Sequence, residues 1–277
     1  MTEFQIKKYK PIIHVLWFNP TIFEHDLSKP VELFNDILPS QCTIKNPNAL
    51  KVFFANEPKE ILPHIHQHLL HNSSCYDLIF TWEPDLLRLG KDNIKHHMIF
   101  SCWCNMLCNV CGKKEFNIST VVGHKKSLPG HKLRHKLWER KDEITIPTNF
   151  YKSSRGTPIP GQCKVLGENK YELFEHSQFS IAIENIDTPN MYTEKINDCI
   201  MTKTVPVYWG ASNIGDVYNT DGIIQVSSID DLIKKVNALT PETYENMKPY
   251  IEDNYQRGLK LSKIRIDDVI EKELHLV

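Results

Sequence analysis

Phe179–Gly210 reads FSIAIENIDTPNMYTEKINDCIMTKTVPVYWG. An apolar run at Gln178–Glu184 ends on an acidic residue. A stretch of helical length follows at Met191–Lys203, and a second apolar run closes the segment at Val205–Gly210. Short, continuous apolar runs on either side of a helix describe parallel strands buried on both faces. Glu184 and Asn185 stand where the first strand ends, the edge at which open α/β sheets bind their ligands. Thr193, Glu194 and Lys195 stand near the start of the helix, whose unpaired N–H groups and positive dipole end suit phosphate. Lys195 adds a charge there. Glu194 is the wrong sign for phosphate but suits the hydroxyls of a ribose. The chemistry expected from this segment alone is the binding of a nucleotide sugar.

The same alternation extends outward. Further strands are expected at Ile12–Phe18, Lys51–Ala55, Tyr76–Trp82, His97–Trp103, Phe116–Val122 and Gly222–Val226. Helices are expected at Gly130–Lys141, at Ile229–Leu239 behind a Ser228/Asp231 capping pattern, and from Pro241 onward. The Gly-, Pro- and Ser-rich stretch Tyr151–Gly167 reads as a long loop. Strands fall about equally on either side of the polar run Cys111–Glu115, so two open sheets are expected. The first is expected to occupy residues 1–113, on the acceptor side, and the second, which holds the nucleotide-sugar segment, 114–277. Two such sheets facing each other would place a site in the cleft between them.

Composition narrows the classes. The chain has 277 residues, with 33 basic and 34 acidic side chains. That balance supplies no global drive toward nucleic acid. No apolar stretch approaches the roughly 18–20 residues of a membrane helix, and the N-terminus has no signal-peptide pattern, so a cytoplasmic chain is expected. Eight cysteines without a secretion signal are expected to be thiols.

The strings FSIAIEN, YTEKI and VPVYWG, in this order and spacing, resemble the donor-binding signature of the α1,3/α1,4-fucosyltransferases, glycosyltransferase family 10. Members read F-x-x-x-F-E-N, then Y-V-T-E-K, then [IV]-P-[IV]-x-x-G. A weaker resemblance runs from about residue 50 to 235. The resemblance implies a GT-B fold of two Rossmann-like domains with parallel sheets facing a central cleft. It also implies GDP-fucose as donor, inverting transfer to a hydroxyl of a glycan acceptor through an α1,3-type linkage, and no required cofactor. Glu184, Asn185, Tyr192, Glu194 and Lys195 map onto its donor site. Arg134 is the match for the family's diphosphate-binding arginine, with Lys125 and Lys126 as competitors. Ile183 and Met191 stand where the family has phenylalanine and tyrosine. The Met191 departure leaves a different nucleotide sugar as the alternative donor, and a catalytically inactive glycan- or nucleotide-binding relative as the alternative to an enzyme.

An inverting transferase also needs a base, which a carboxylate in a partly dry site can supply. The resemblance places it at Glu57, in Lys51–Pro58 (KVFFANEP); Glu83 and Glu184 are its rivals. Tyr208 and Trp209 end a strand and could pack beneath the donor or simply in the core. By GT-B analogy, a helix over Ile251–Leu276 would cross back to the first domain. Cys102, Cys104, Cys108 and Cys111 could hold a structural zinc, although the C-x-C spacing is cramped, and a zinc-stabilised interaction module is the third reading. His64, His66, His68 and His71 read as a surface run on a helix.

Overall fold

A computed structural model describes residues 9–10, 12–15, 27–42, 46–98, 100–104, 113–154, 164–167 and 169–274. The strands are β1 (Ile12–Val15), β2 (Val31–Asn35), β3 (Leu50–Ala55), β4 (Leu78–Thr81), β5 (Ile94–His96), β6 (Glu115–Val122), β7 (Thr148–Ser153), β8 (Lys164–Leu166), β9 (Ser177–Ile183), β10 (Val205–Trp209) and β11 (Ile224–Gln225). The helices are α1 (Pro63–Asn72), α2 (Pro84–Leu87), α3 (Pro129–Glu139), α4 (Glu194–Met201), α5 (Ile229–Asn237), α6 (Pro241–Leu261) and α7 (Ile266–Glu273). Among the described residues, no helix is long and apolar enough to cross a membrane.

The chain divides into two compact units, Met1–Ile99 with Lys263–Val277, and Phe100–Ser262. The first carries a parallel sheet in the order β1-β2-β3-β4-β5. Alternate residues of its strands enter two cores. Val31, Leu33, Val52, Phe54, Leu78 and Phe80 face one way and pack with Ile266 and Ile270 of α7. Phe34, Phe53, Ala55 and Ile79 face the other and pack with Ile65 and Leu69 of α1. Each helix presents an i, i+4 pair, so a single turn of spacing covers each face of the pleat. On α1, His66 is buried, and His68 Nε2 lies 3.0 Å from the Tyr76 hydroxyl.

The second unit holds a six-stranded parallel sheet in the order β11-β10-β9-β6-β7-β8. From the β8 edge this is 3-2-1-4-5-6, the doubly wound order, whose direction of winding reverses between β6 and β9. On one face Ile118, Phe179, Ile181, Val205 and Val207 pack with Leu137 of α3, Leu232 and Val236 of α5, and Tyr244 and Ile251 of α6. Helix α4 packs against β9, β10 and α6.

Several expectations require correction. His97–Trp103 is not a strand: the strand lies earlier, at β5, and residues 101–104 are held by side chains instead of a ladder. Ser101 C=O accepts from Asn197 Nδ2 (2.9 Å), and the N–H groups of Trp103 and Cys104 donate to Asp198 Oδ1 (2.6 and 3.1 Å). Those bonds tie the segment to α4, so the second unit begins at Phe100, ahead of the expected boundary at 113/114. Tyr151–Gly167 is not wholly loop, because it holds the end of β7 and all of β8. Ile251–Leu276 is not one helix. It breaks after Leu261, and α7 belongs to the first unit. Strand β2 was missed altogether.

Candidate functional site

A cavity of about 380 Å³ opens at the carboxyl edge of the second sheet. Val121 and Gly123 line it from the end of β6, and Ser180–Ile183 line it from β9, so it sits at the point where the winding reverses. Ser153, Ser154, Leu166 and Gly167 extend the wall beneath β7 and β8. Arg134, Lys170, Glu194, Lys195 and Trp103 supply its polar and aromatic groups. The volume lies in the usual range for small-molecule sites.

Arg134 reaches the cavity from α3, whose start is pressed onto the end of β9. Gly130 N–H donates to Asn185 C=O (3.0 Å), and a Cβ on Gly130 would stand 1.7 Å from Glu184 O. Arg134 Nη2 donates to Asn185 Oδ1 (2.7 Å), while its buried Nε has no hydrogen-bond partner among the described residues. Burial disfavours its charge and lowers its pKa, against the attraction of Glu184 and Glu194. A guanidinium nonetheless stays protonated. The result is a half-buried cation with spare donors at the cavity wall, suited to an anion. His131, on the same helix, is held neutral: burial first, then the neighbouring Arg134, Lys125 and Lys195, bring its pKa to about 4.

Lys195 occupies the first turn of α4, where the helix dipole opposes a cation. Carboxylates hold it there: its Nζ lies 3.4 Å from Glu184 Oε2 and 3.3 Å from Glu194 Oε1. Glu184 is fully buried and accepts from both the N–H (2.8 Å) and the hydroxyl (2.7 Å) of Thr193, the N-cap of α4. Burial works to raise the Glu194 carboxyl. The Lys195 and Lys170 ammoniums outweigh it and bring the pKa to about 2, so Glu194 is an anion at any working pH.

The expected donor residues therefore separate by position. Arg134, Glu194 and Lys195 line the cavity. Glu184 and Asn185 stand behind them, bonded to Thr193 and Arg134. Tyr192 is buried, edge-on to Tyr218 at 6.4 Å, and Met191 is buried as well. Tyr208 is buried with its hydroxyl accepting from Ala211 N–H (3.1 Å), so of its two possible places it takes the core. Sequence reasoning missed Lys170 and Trp103. Lys170 Nζ lies 2.6 Å from Asp198 Oδ2 and 3.8 Å from Glu194 Oε1. Burial alone would lower its pKa, but those carboxylates raise it.

In the first unit, Glu57 follows β3 and is half-buried. The N–H groups of Asn56 and Glu57 donate to Asp36 Oδ1 (2.9 and 3.2 Å). Asp36 follows β2 with φ +53°, and its carboxyl is pushed up to about 7 by burial. Glu83 is buried and accepts the Lys59 N–H (2.8 Å), a contact that holds the turn after Glu57. Cys102 and Cys104 are free thiols, while Cys108 and Cys111 lie outside the described residues. Among the described residues, no group of three or more His, Cys, Asp or Glu side chains is placed to hold a metal.

No family model matches the chain. Ninety-five residues are 27% identical to the α-(1,3)-fucosyltransferase FucT of Helicobacter pylori. The match spans 33% of this chain and 19% of that protein's length. Among solved structures, an α1,3-fucosyltransferase with GDP superposes with a TM-score of 0.52 at 16% identity, over 95% of this chain and 91% of that one. TarM superposes with a TM-score of 0.59 at 12% identity, over 89% of this chain and 54% of its own length. The fold is α/β with parallel sheets, similar to that of the GT-B glycosyltransferases.

Proposed function

We propose that the chain is an inverting glycosyltransferase that moves fucose from GDP-fucose to a hydroxyl of a glycan acceptor, with an α1,3-type linkage. The observation that carries the reading is the cavity at the winding reversal, with Arg134, Lys195 and the anionic Glu194 on its wall. Cations suit a diphosphate, and a carboxylate beside them suits ribose hydroxyls. The partial identity to the Helicobacter pylori enzyme supports the sugar and the linkage, and the fold likeness to a structure solved with GDP supports the base.

In this reading Arg134 and Lys195 hold the diphosphate. As the bond from the sugar's anomeric carbon to phosphate oxygen breaks, its electron pair leaves with GDP. Fixed cations aimed at that growing charge lower the barrier. Glu194 orients the ribose. Asn185 keeps Arg134 in place, and Glu184 holds both Lys195 and the helix start behind it. The proton of the acceptor hydroxyl, whose oxygen attacks the anomeric carbon, is assigned to Glu57. The chemistry so described invokes no cofactor.

Isothermal titration with GDP-fucose, GDP-mannose, UDP-galactose and GDP tests the donor. Coupled assay of GDP release over a panel of glycans tests the transfer. The expected result is binding of GDP and GDP-fucose that is lost in Lys195→Ala. Glu57→Gln should bind donor as the parent chain does and release no GDP. Preference for a uridine donor would discard GDP-fucose and keep the transferase. Binding without turnover on any acceptor would favour an inactive relative.

A further inference from the structure

Trp103 is 60% exposed, an unusual state for a tryptophan, and it stands on the cavity wall. Its backbone is not free to move away. Its N–H donates to Asp198 Oδ1, and Asp198 is itself fully buried and paired with Lys170. The Lys170 ammonium lies 5.2 Å from the centre of the Trp103 ring. Lys170 is therefore pinned between a buried carboxylate and an aromatic face.

The order of side chains along the cavity is informative. Arg134 and Lys195 come first, both close to Glu184 and His131. Lys195 touches Glu194, Glu194 faces Lys170 at 3.8 Å, and Lys170 faces Trp103. Two cations, a carboxylate, and then a third cation set against an aromatic ring follow the linear order of a nucleoside diphosphate: phosphates, ribose, base. We propose that Trp103 and Lys170 form the nucleobase end of the cavity, with the ring stacking on the base and the ammonium donating to a keto oxygen on its edge. The proposal rests on the reading of the cavity as the donor site.

The chemistry follows from the donor inventory. An ammonium has three N–H groups and accepts nothing. Asp198 takes one, and Glu194 at 3.8 Å is beyond hydrogen-bond reach, so donors remain for a ligand. Guanine offers O6 and N7, and uracil offers O4; adenine turns an amino group toward the same place, where it meets another donor. Stacking on the ring is indifferent to sequence, so Trp103 contributes affinity and Lys170 contributes choice of base.

The test is titration of the full chain and its Trp103→Ala and Trp103→Phe variants with GDP, UDP and ADP. Trp103 is exposed, so its truncation empties no core, and a thermal melt checks that each variant is folded. Trp103→Ala is expected to weaken GDP binding about 10- to 100-fold, and Trp103→Phe to restore most of it. ADP is expected to bind the parent chain at least about 10-fold more weakly than GDP or UDP. If Trp103→Ala binds GDP like the parent while Lys195→Ala loses it, the base lies elsewhere and the donor site stands. ADP bound as tightly as GDP overturns the role of Lys170. If the parent chain binds no nucleotide, this inference and the donor reading fall together.

Discussion

Gly130→Ala should destabilise the second unit and weaken nucleotide binding, although helix propensity alone says the opposite. At an open helix position the exchange gains about 0.5–1 kcal/mol. Gly130, however, is the point where α3 meets the end of β9. An added Cβ would lie 1.7 Å from Glu184 O, 2.8 Å from its carbonyl carbon and 3.1 Å from that of Asn185. All three are backbone atoms, so no rotamer change relieves the contact. Ordinary contact begins near 3.4 Å, so the start of α3 must withdraw by about 1.7 Å, the difference between the two distances. That stretches the 3.0 Å bond from Gly130 N–H to Asn185 C=O and carries Arg134, one turn along, with it. Overpacking costs about 1–3 kcal/mol and the weakened hydrogen bond about 0.5–1.5 kcal/mol. Less the propensity gain, the net loss is about 0.5–4 kcal/mol. Displacing Arg134 by more than 1 Å should cost at least about tenfold in GDP affinity, since its buried Nε and the Asn185 bond both depend on that register. Chemical denaturation and titration calorimetry read the two effects. Gly123→Ala, where the new methyl meets nothing within 4 Å, is the control for stability. A Gly130→Ala protein as stable as the parent, or more so, would refute the argument.

Two further outcomes follow from buried charge. Burial lifts the Asp36 carboxyl from 3.8 to about 7, so between about pH 4 and 7 the folded chain holds a proton that the unfolded chain has released. The stabilisation is complete below pH 4 and is lost as the pH rises through 7. Asp36→Asn keeps an oxygen to accept from Asn56 and Glu57 but does not titrate. It should flatten the fall in Tm between pH 5 and pH 8 and be the more stable form at pH 8; an unchanged pH profile would sink this reading. Asp198→Ala removes a fully buried carboxylate and strips the partner from half-buried Lys170 and from the N–H groups of Trp103 and Cys104. A loss of about 3–5 kcal/mol is expected in denaturation, and a change below about 1 kcal/mol would show that the network is not a stabilising one.

What could be read from the chain was what is local. The runs FSIAI and VPVYW are continuous and apolar, and Thr193 caps the helix between them, so β9, α4 and β10 were legible to within a few residues. Strand pairing is not local, and neither the order β8-β7-β6-β9-β10-β11 nor the short, partly exposed β8 has a periodic signature. The same limit explains the missed half of the cavity. Within EKINDCIM, Asp198 looks like a solvent-facing charge, yet α4 is buried from Ile196 through Met201. Asp198 is buried because residues 103–104 arrive from more than ninety positions earlier and Lys170 from the turn before β9. Nothing in the spacing of those residues announces that they meet. What does show locally is a conflict. Lys195 sits where the helix dipole repels it, and two acidic residues, Glu184 and Glu194, hold it there. A stable helix would rather begin with acid alone. Retaining a cation at that position, in a cavity also lined by a half-buried guanidinium whose Nε has no partner among the described residues, costs stability that an arriving anion would return. That trade, and not the helix pattern, is the strongest local sign that the cavity is a binding site.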